Sequence, residues 1–78
     1  MKRLFVDTSA WIAIYDESDS LHEIALEWKE KLLLEKAMFV LSNYVFDETA
    51  TFLNVKVSNK LAVAFGDMAR KTLSTFPP

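Results

Sequence analysis

The feature that most restricts this chain is a pair of short, uninterrupted apolar runs set far apart. Leu4-Phe5-Val6 is the first and Met38-Phe39-Val40-Leu41 the second. Neither alternates with polar residues, so each reads as a strand buried on both faces. The stretch between them has helical periodicity and is long enough for the crossover that parallel strands require. The expectation is an α/β fold: a parallel sheet with flanking helices, in the order strand, helix, helix, strand, helix, helix.

Local signals place the joints. Asp7-Thr8-Ser9 offers three cap-forming residues where the first strand should give way to a short apolar helix, Ala10 to Tyr15. Ser20-Leu21-His22-Glu23 has the spacing of a capping box. A helix should follow to about Lys36, with Leu21, Ile24, Ala25, Trp28 and Leu32 on one face. Ser42 or Asn43 should cap a third helix, roughly Tyr44 to Lys56. Ser58 or Asn59 should cap a fourth, from Lys60 to about Thr72, with Leu61, Ala64, Phe65, Met68 and Thr72 as its contact face. Gly66 lies inside that helix, where glycine is unfavourable, and so is expected to mark close packing.

Composition removes several classes of function. A chain of 78 residues supports one small domain. With no cysteine and one histidine, His22, it has neither a disulfide framework nor a His-rich zinc centre. Net charge is −2, with no basic arm and no polybasic segment. No apolar run is long enough to cross a bilayer, and the opening residues do not form a signal peptide. The expectation is a soluble, cytoplasmic protein. Since 51 % of the residues are hydrophobic and two strands are few for a parallel sheet, an open strand edge and apolar helix faces should drive self-association into a homo-oligomer.

Two carboxylates stand out. Asp7 follows the first strand, and ligands of open α/β sheets bind outside the carboxyl ends of strands. Its other reading is a helix cap, although Thr8 and Ser9 can also cap. Glu48 falls at the margin of the apolar face of the third helix, bracketed by Val45, Phe52 and Val55. A carboxylate there needs a partner: a cation, or a hydroxyl or backbone group. Parallel strands put Asp7 and the start of the third helix on one rim of the sheet. Two converging carboxylates suit Mg²⁺ or Mn²⁺, which take oxygen ligands and keep several waters. Such an ion activates water and steadies charge on a phosphodiester. Ser9, Ser42 and Asn43 share the rim and can bond a carboxylate or a bound water, with capping the stronger reading for Ser42 and Asn43. Asp47 reads as a solvated acid on the polar helix face, and His22 as a surface or packing residue. Trp11, Tyr15 and Trp28 read as core or contact residues. There is no Gly-rich phosphate loop.

These residues resemble a family. Leu4-Phe5-Val6-Asp7-Thr8-Ser9-Ala10-Trp11-Ile12-Ala13 is similar to the opening of PIN-domain proteins. Leu21-His22-Glu23-Ile24-Ala25 resembles the His-x-x-Ala start of their second helix. Leu41-Ser42-Asn43-Tyr44-Val45-Phe46-Asp47-Glu48-Thr49-Ala50-Thr51 resembles the strand-to-helix segment that carries their second acid. The nearest likeness is to VapC-type toxins of prokaryotic toxin–antitoxin pairs. The resemblance implies a Mg²⁺- or Mn²⁺-dependent endoribonuclease acting on RNA. Asp7 and Glu48 would be its catalytic metal ligands, and Ser9 would support the site. It also implies a homodimer silenced by a cognate antitoxin. The family takes further carboxylates and strands from a later segment. Here the chain reaches Thr75-Phe76-Pro77-Pro78 where the next strand should begin, and Asp67, the only later acid, matches no family ligand. Residues 1–78 are therefore expected to be the N-terminal portion of a PIN-like domain. The alternative is a catalytically inactive relative that binds an antitoxin or itself.

Overall fold

The computed structural model describes the backbone over residues 3–72 and 74–76 and the side chains over residues 3–70. The elements are β1 (Arg3–Phe5), α1 (Thr8–Tyr15), α2 (His22–Leu34), β2 (Met38–Ser42), α3 (Asn43–Phe52), a π-helical segment (Leu53–Val57), α4 (Asn59–Thr72) and β3 (Ser74–Phe76). The six-element order read from the sequence is present, and a third short strand follows it. Among the described residues the sheet runs β1-β2-β3, all parallel. Leu4 pairs with Phe39 and Leu41 with Thr75, so β2 is the central strand.

Position in the sheet decides burial. In β2, Phe39, Val40 and Leu41 are all buried, as a continuous apolar run predicts. The first run does not behave this way. Val6 is buried, but Phe5 is 74 % exposed. As an edge strand, β1 has one covered face, and Phe5 lies on the other.

The core gathers around Trp11 of α1. Its ring meets Phe39 and Phe65 edge-on, with centroids 6.1 and 5.6 Å away. Tyr15 adds an edge contact to Phe65, and Trp28 stacks on Phe39. The three aromatics expected to be core or contact residues therefore share one cluster. Leu41, Leu53 and Ala69 close it from β2, the π-helical segment and α4.

Helix starts follow local chemistry. The Ser42 hydroxyl accepts from the Val45 N–H at 3.1 Å, and the Ser58 hydroxyl from the Leu61 N–H at 3.1 Å. The capping box at Ser20 does not form. Instead Asp19 Oδ1 accepts from the Leu21 N–H at 2.9 Å, the Asp19 carbonyl accepts from the His22 N–H, and α2 begins at His22. This helix also presents its apolar face differently from expectation. Leu32 is its buried residue, while Leu21 and Ile24 are exposed. On α4, Phe65, Gly66 and Ala69 are buried and Ala64 is exposed. Gly66 does not mark a forced close approach: an added Cβ would meet Phe46 and Arg70 at 3.9 Å, an ordinary contact.

His22 is half-buried against α1. Its Nδ1 lies 2.7 Å from the Ala13 carbonyl and ties the start of α2 to the last turns of α1.

Candidate metal centre

Parallel pairing of β1 with β2 sends both chains out of the sheet at the same rim. Asp7 leaves β1 in extended conformation and is itself the N-cap of α1. Its Oδ1 accepts from the Ser9 N–H at 3.0 Å. The cap is thus made by Asp7, not by Thr8 or Ser9. The Ser9 hydroxyl lies 3.4 Å from both carboxylate oxygens and leaves Oδ2 with one long contact. The cap therefore engages Oδ1 and leaves Oδ2 nearly free.

Glu48 projects from the second turn of α3, whose start Ser42 fixes. It is exposed rather than set at a buried margin. The buried residue of this turn is its neighbour Thr49, at 0 % exposure. Phe52 and Val55, taken as part of a covered face, are 36 % and 68 % exposed, which is why Glu48 carries no burial cost. Its partners are hydroxyls. The Thr8 Oγ1–H donates to Oε1 at 2.6 Å, and the Tyr44 O–H donates to Oε2 at 3.3 Å. The Thr8 bond brings Glu48 to the first turn of α1, one residue from Asp7.

Sequence reading missed Thr8 and Tyr44 as parts of this site. Tyr44 lies four residues before Glu48, a spacing that puts two side chains together on a helix, and that signal was available. Thr8 and Glu48 are 40 residues apart, and nothing local joins them. Of the other rim residues, Ser42 caps α3 and Asn43 is exposed. Asp47 is exposed, as expected. Asp67 lies far from this chemistry in sequence and pairs with Arg70 at 3.7 Å within α4.

The donor set fits a hard divalent ion in kind. Asp7 and Glu48 offer carboxylate oxygens, and among the described residues neither has an ion-pair partner. Mg²⁺ is commonly held by one or two carboxylates, with waters and substrate phosphates completing its shell. No group of three or more acidic, His or Cys side chains gathers among the described residues. The described residues would contribute two carboxylates to such a shell.

The sequence profile of the PIN domain matches residues 4–74, and the chain belongs to that family. Among solved structures it is similar to the crystal structure of VapC20 of Mycobacterium tuberculosis, a sarcin-ricin loop cleaving toxin. The identity is 29 % and the TM-score 0.75, over 94 % of this chain and 55 % of that one. The chain thus spans about half the length of the structure it matches. No curated protein matches it.

Proposed function

We propose that this chain carries part of a metal-dependent ribonuclease site, with Asp7 and Glu48 as the ligands of Mg²⁺ or Mn²⁺ and RNA as the substrate. The observation that supports it most directly is the Thr8–Glu48 hydrogen bond, which gathers two unpaired carboxylates at one rim of a PIN-family sheet. When bound, the ion supplies an activated water and neutralises charge on the phosphodiester. The chain's own residues do the positioning. Ser9 and the first turn of α1 hold the Asp7 carboxylate, while Thr8 and Tyr44 hold that of Glu48. The place of action is the cytoplasm, consistent with a chain without cysteine. No helix among the described residues is long and apolar enough to cross a membrane.

The test is cleavage of RNA with Mg²⁺ or Mn²⁺, with and without chelator, by the wild type, Asp7→Asn and Glu48→Gln. Cleavage by the wild type, lost in both variants and on chelation, is the expected result. Absence of cleavage in the wild type would sink the enzymatic reading. Full activity in both variants would sink the assignment of the two carboxylates.

A second reading has its own support. Leu21, which precedes α2, and Ile24 and Leu34 within it are 56 %, 63 % and 83 % exposed, and the described residues bring two carboxylates to the site. A chain of this kind serves as an inactive PIN relative, binding an antitoxin or a second copy through apolar surface. Sedimentation over a range of concentrations tests the self-association part. Ile24→Glu with Leu34→Glu should shift the protein towards monomer. A wild type that remains monomeric throughout removes the second-copy arm.

A further inference from the structure

The third helix does not end as an α-helix. From Leu53 it widens, and the Ser58 N–H donates to the Leu53 carbonyl at 2.8 Å, five residues back. This winding has a geometric effect on Lys56. Eight α-helical residues turn through about 800°, which would leave Lys56 about 80° away from Glu48 around the axis. An i→i+5 turn holds more residues, so each residue turns by roughly 20° less. Four such residues carry Lys56 back to the side of Glu48. Glu48 and Lys56 line one open groove of about 490 Å³, together with Tyr44, Asp47 and Phe52.

We infer that Lys56 is an RNA-contacting residue, placed by the π-helical segment to hold a backbone phosphate of the strand whose scissile bond lies at Asp7 and Glu48. The inference rests on the ribonuclease reading above and adds the path of the substrate. Lys56 is exposed and has no ion-pair partner among the described residues. It lies on the order of 11 Å along the helix from Glu48, at slightly less than the α-helical rise per residue. That is a few nucleotides from the reacting phosphate. Between them Phe52 is 36 % exposed, and Tyr44, one turn before Glu48, is 61 % exposed; both offer faces on which unstacked bases can lie. A cation at one end, a ring between and a carboxylate pair at the other complement single-stranded RNA better than a purely apolar protein segment.

The experiment is fluorescence polarisation of a labelled single-stranded RNA against the full chain with Ca²⁺ or Mn²⁺ over a series of salt concentrations. Each phosphate contact contributes about 0.7 to the slope of log affinity against log salt for single strands. Lys56→Gln should weaken binding and lower the slope by about that amount, and Lys56→Arg should keep both near wild type. The double variant Asn54→Lys, Lys56→Gln restores net charge on a different face, where Asn54 lines the groove towards Ala62 and Gly66. It should bind like Lys56→Gln. Wild-type binding with an unchanged slope in Lys56→Gln would overturn the role of Lys56 and leave the ribonuclease reading standing. Recovery in the double variant would overturn the geometric argument in favour of net charge. A wild type that binds no RNA with either ion would overturn both this inference and the reading beneath it.

Discussion

The Thr8 hydroxyl donates to Glu48 Oε1 at 2.6 Å and joins the first turn of α1 to the second turn of α3. Bonds to ionised acceptors are among the stronger ones, and this one spans two elements that would otherwise place their carboxylates independently. Removing the hydroxyl while keeping the shape should therefore disturb the metal site first. Thr8→Val is expected to weaken Mn²⁺ binding about 10-fold, the lower end of what lost support around a ligand costs. Thr8→Ser should stay near wild type. Mn²⁺ titration followed by electron paramagnetic resonance reads this directly, and equal affinity in all three proteins would contradict it.

Asp7 caps α1 and, in the proposed site, also holds the ion, and substitution can separate the two. Asparagine caps as well as aspartate but lacks the charge. Asp7→Asn should keep stability and lose metal binding, whereas Asp7→Ala should lose metal binding and about 1 kcal/mol of stability besides. Urea unfolding beside Mn²⁺ titration checks both. Equal stability of the two variants would remove the cap, and unimpaired Mn²⁺ binding would remove the ligand.

Thr49 is fully buried, and its hydroxyl has no hydrogen-bond partner among the described residues. A buried unpaired hydroxyl costs folding free energy, and a methyl of the same shape does not. Thr49→Val is expected to raise stability by about 1 kcal/mol with an unchanged denaturant slope. A fall in the urea midpoint would show that the hydroxyl is satisfied in solution.

Burial pushes the Tyr15 phenol above its ordinary value of 10.0. The folded protein then keeps this proton at pH values where the unfolded chain has released it. The associated stability is fully present below pH 10.0 and is lost as pH rises from there through the folded-state value. Melting temperature should fall across that alkaline window, and Tyr15→Phe should flatten the fall. Parallel curves for the two proteins would contradict this.

What the sequence reveals here is mostly what neighbours in the chain decide. The caps at Ser42 and Ser58, the buried run of β2 and the strand-to-helix joint at Asp7 all follow from residues within a turn of one another. Misreadings occur where the outcome depends on distant residues. Phe5 is apolar like Phe39, but only its place at a sheet edge exposes it. The apolar stripe of α2 is correctly spaced, yet spacing does not say what covers Leu21 and Ile24. Asp7 is visible as a candidate because it sits at a strand-to-helix joint, whereas Glu48 is picked out as a carboxylate at the margin of an apolar stripe that proves to be exposed. Their hydroxyl partners differ: Tyr44 shares a helix face with Glu48, while Thr8 reaches it only after folding. The π-helical winding at Leu53–Val57 has no glycine or proline to announce it.

The register Arg3↔Met38, Leu4↔Phe39, Phe5↔Val40 works as a ruler for the chemistry. Asp7 is fastened just past one strand and the helix bearing Glu48 to the end of the other. A slip of one residue between β1 and β2 would shift one carboxylate past the other by roughly 3.3 Å and turn every side chain of the strand to the opposite face. That is more than the reach of the Thr8–Glu48 bond. Strand pairing and the placing of the two carboxylates are therefore one property, and a mispaired sheet would separate them as well as pack badly.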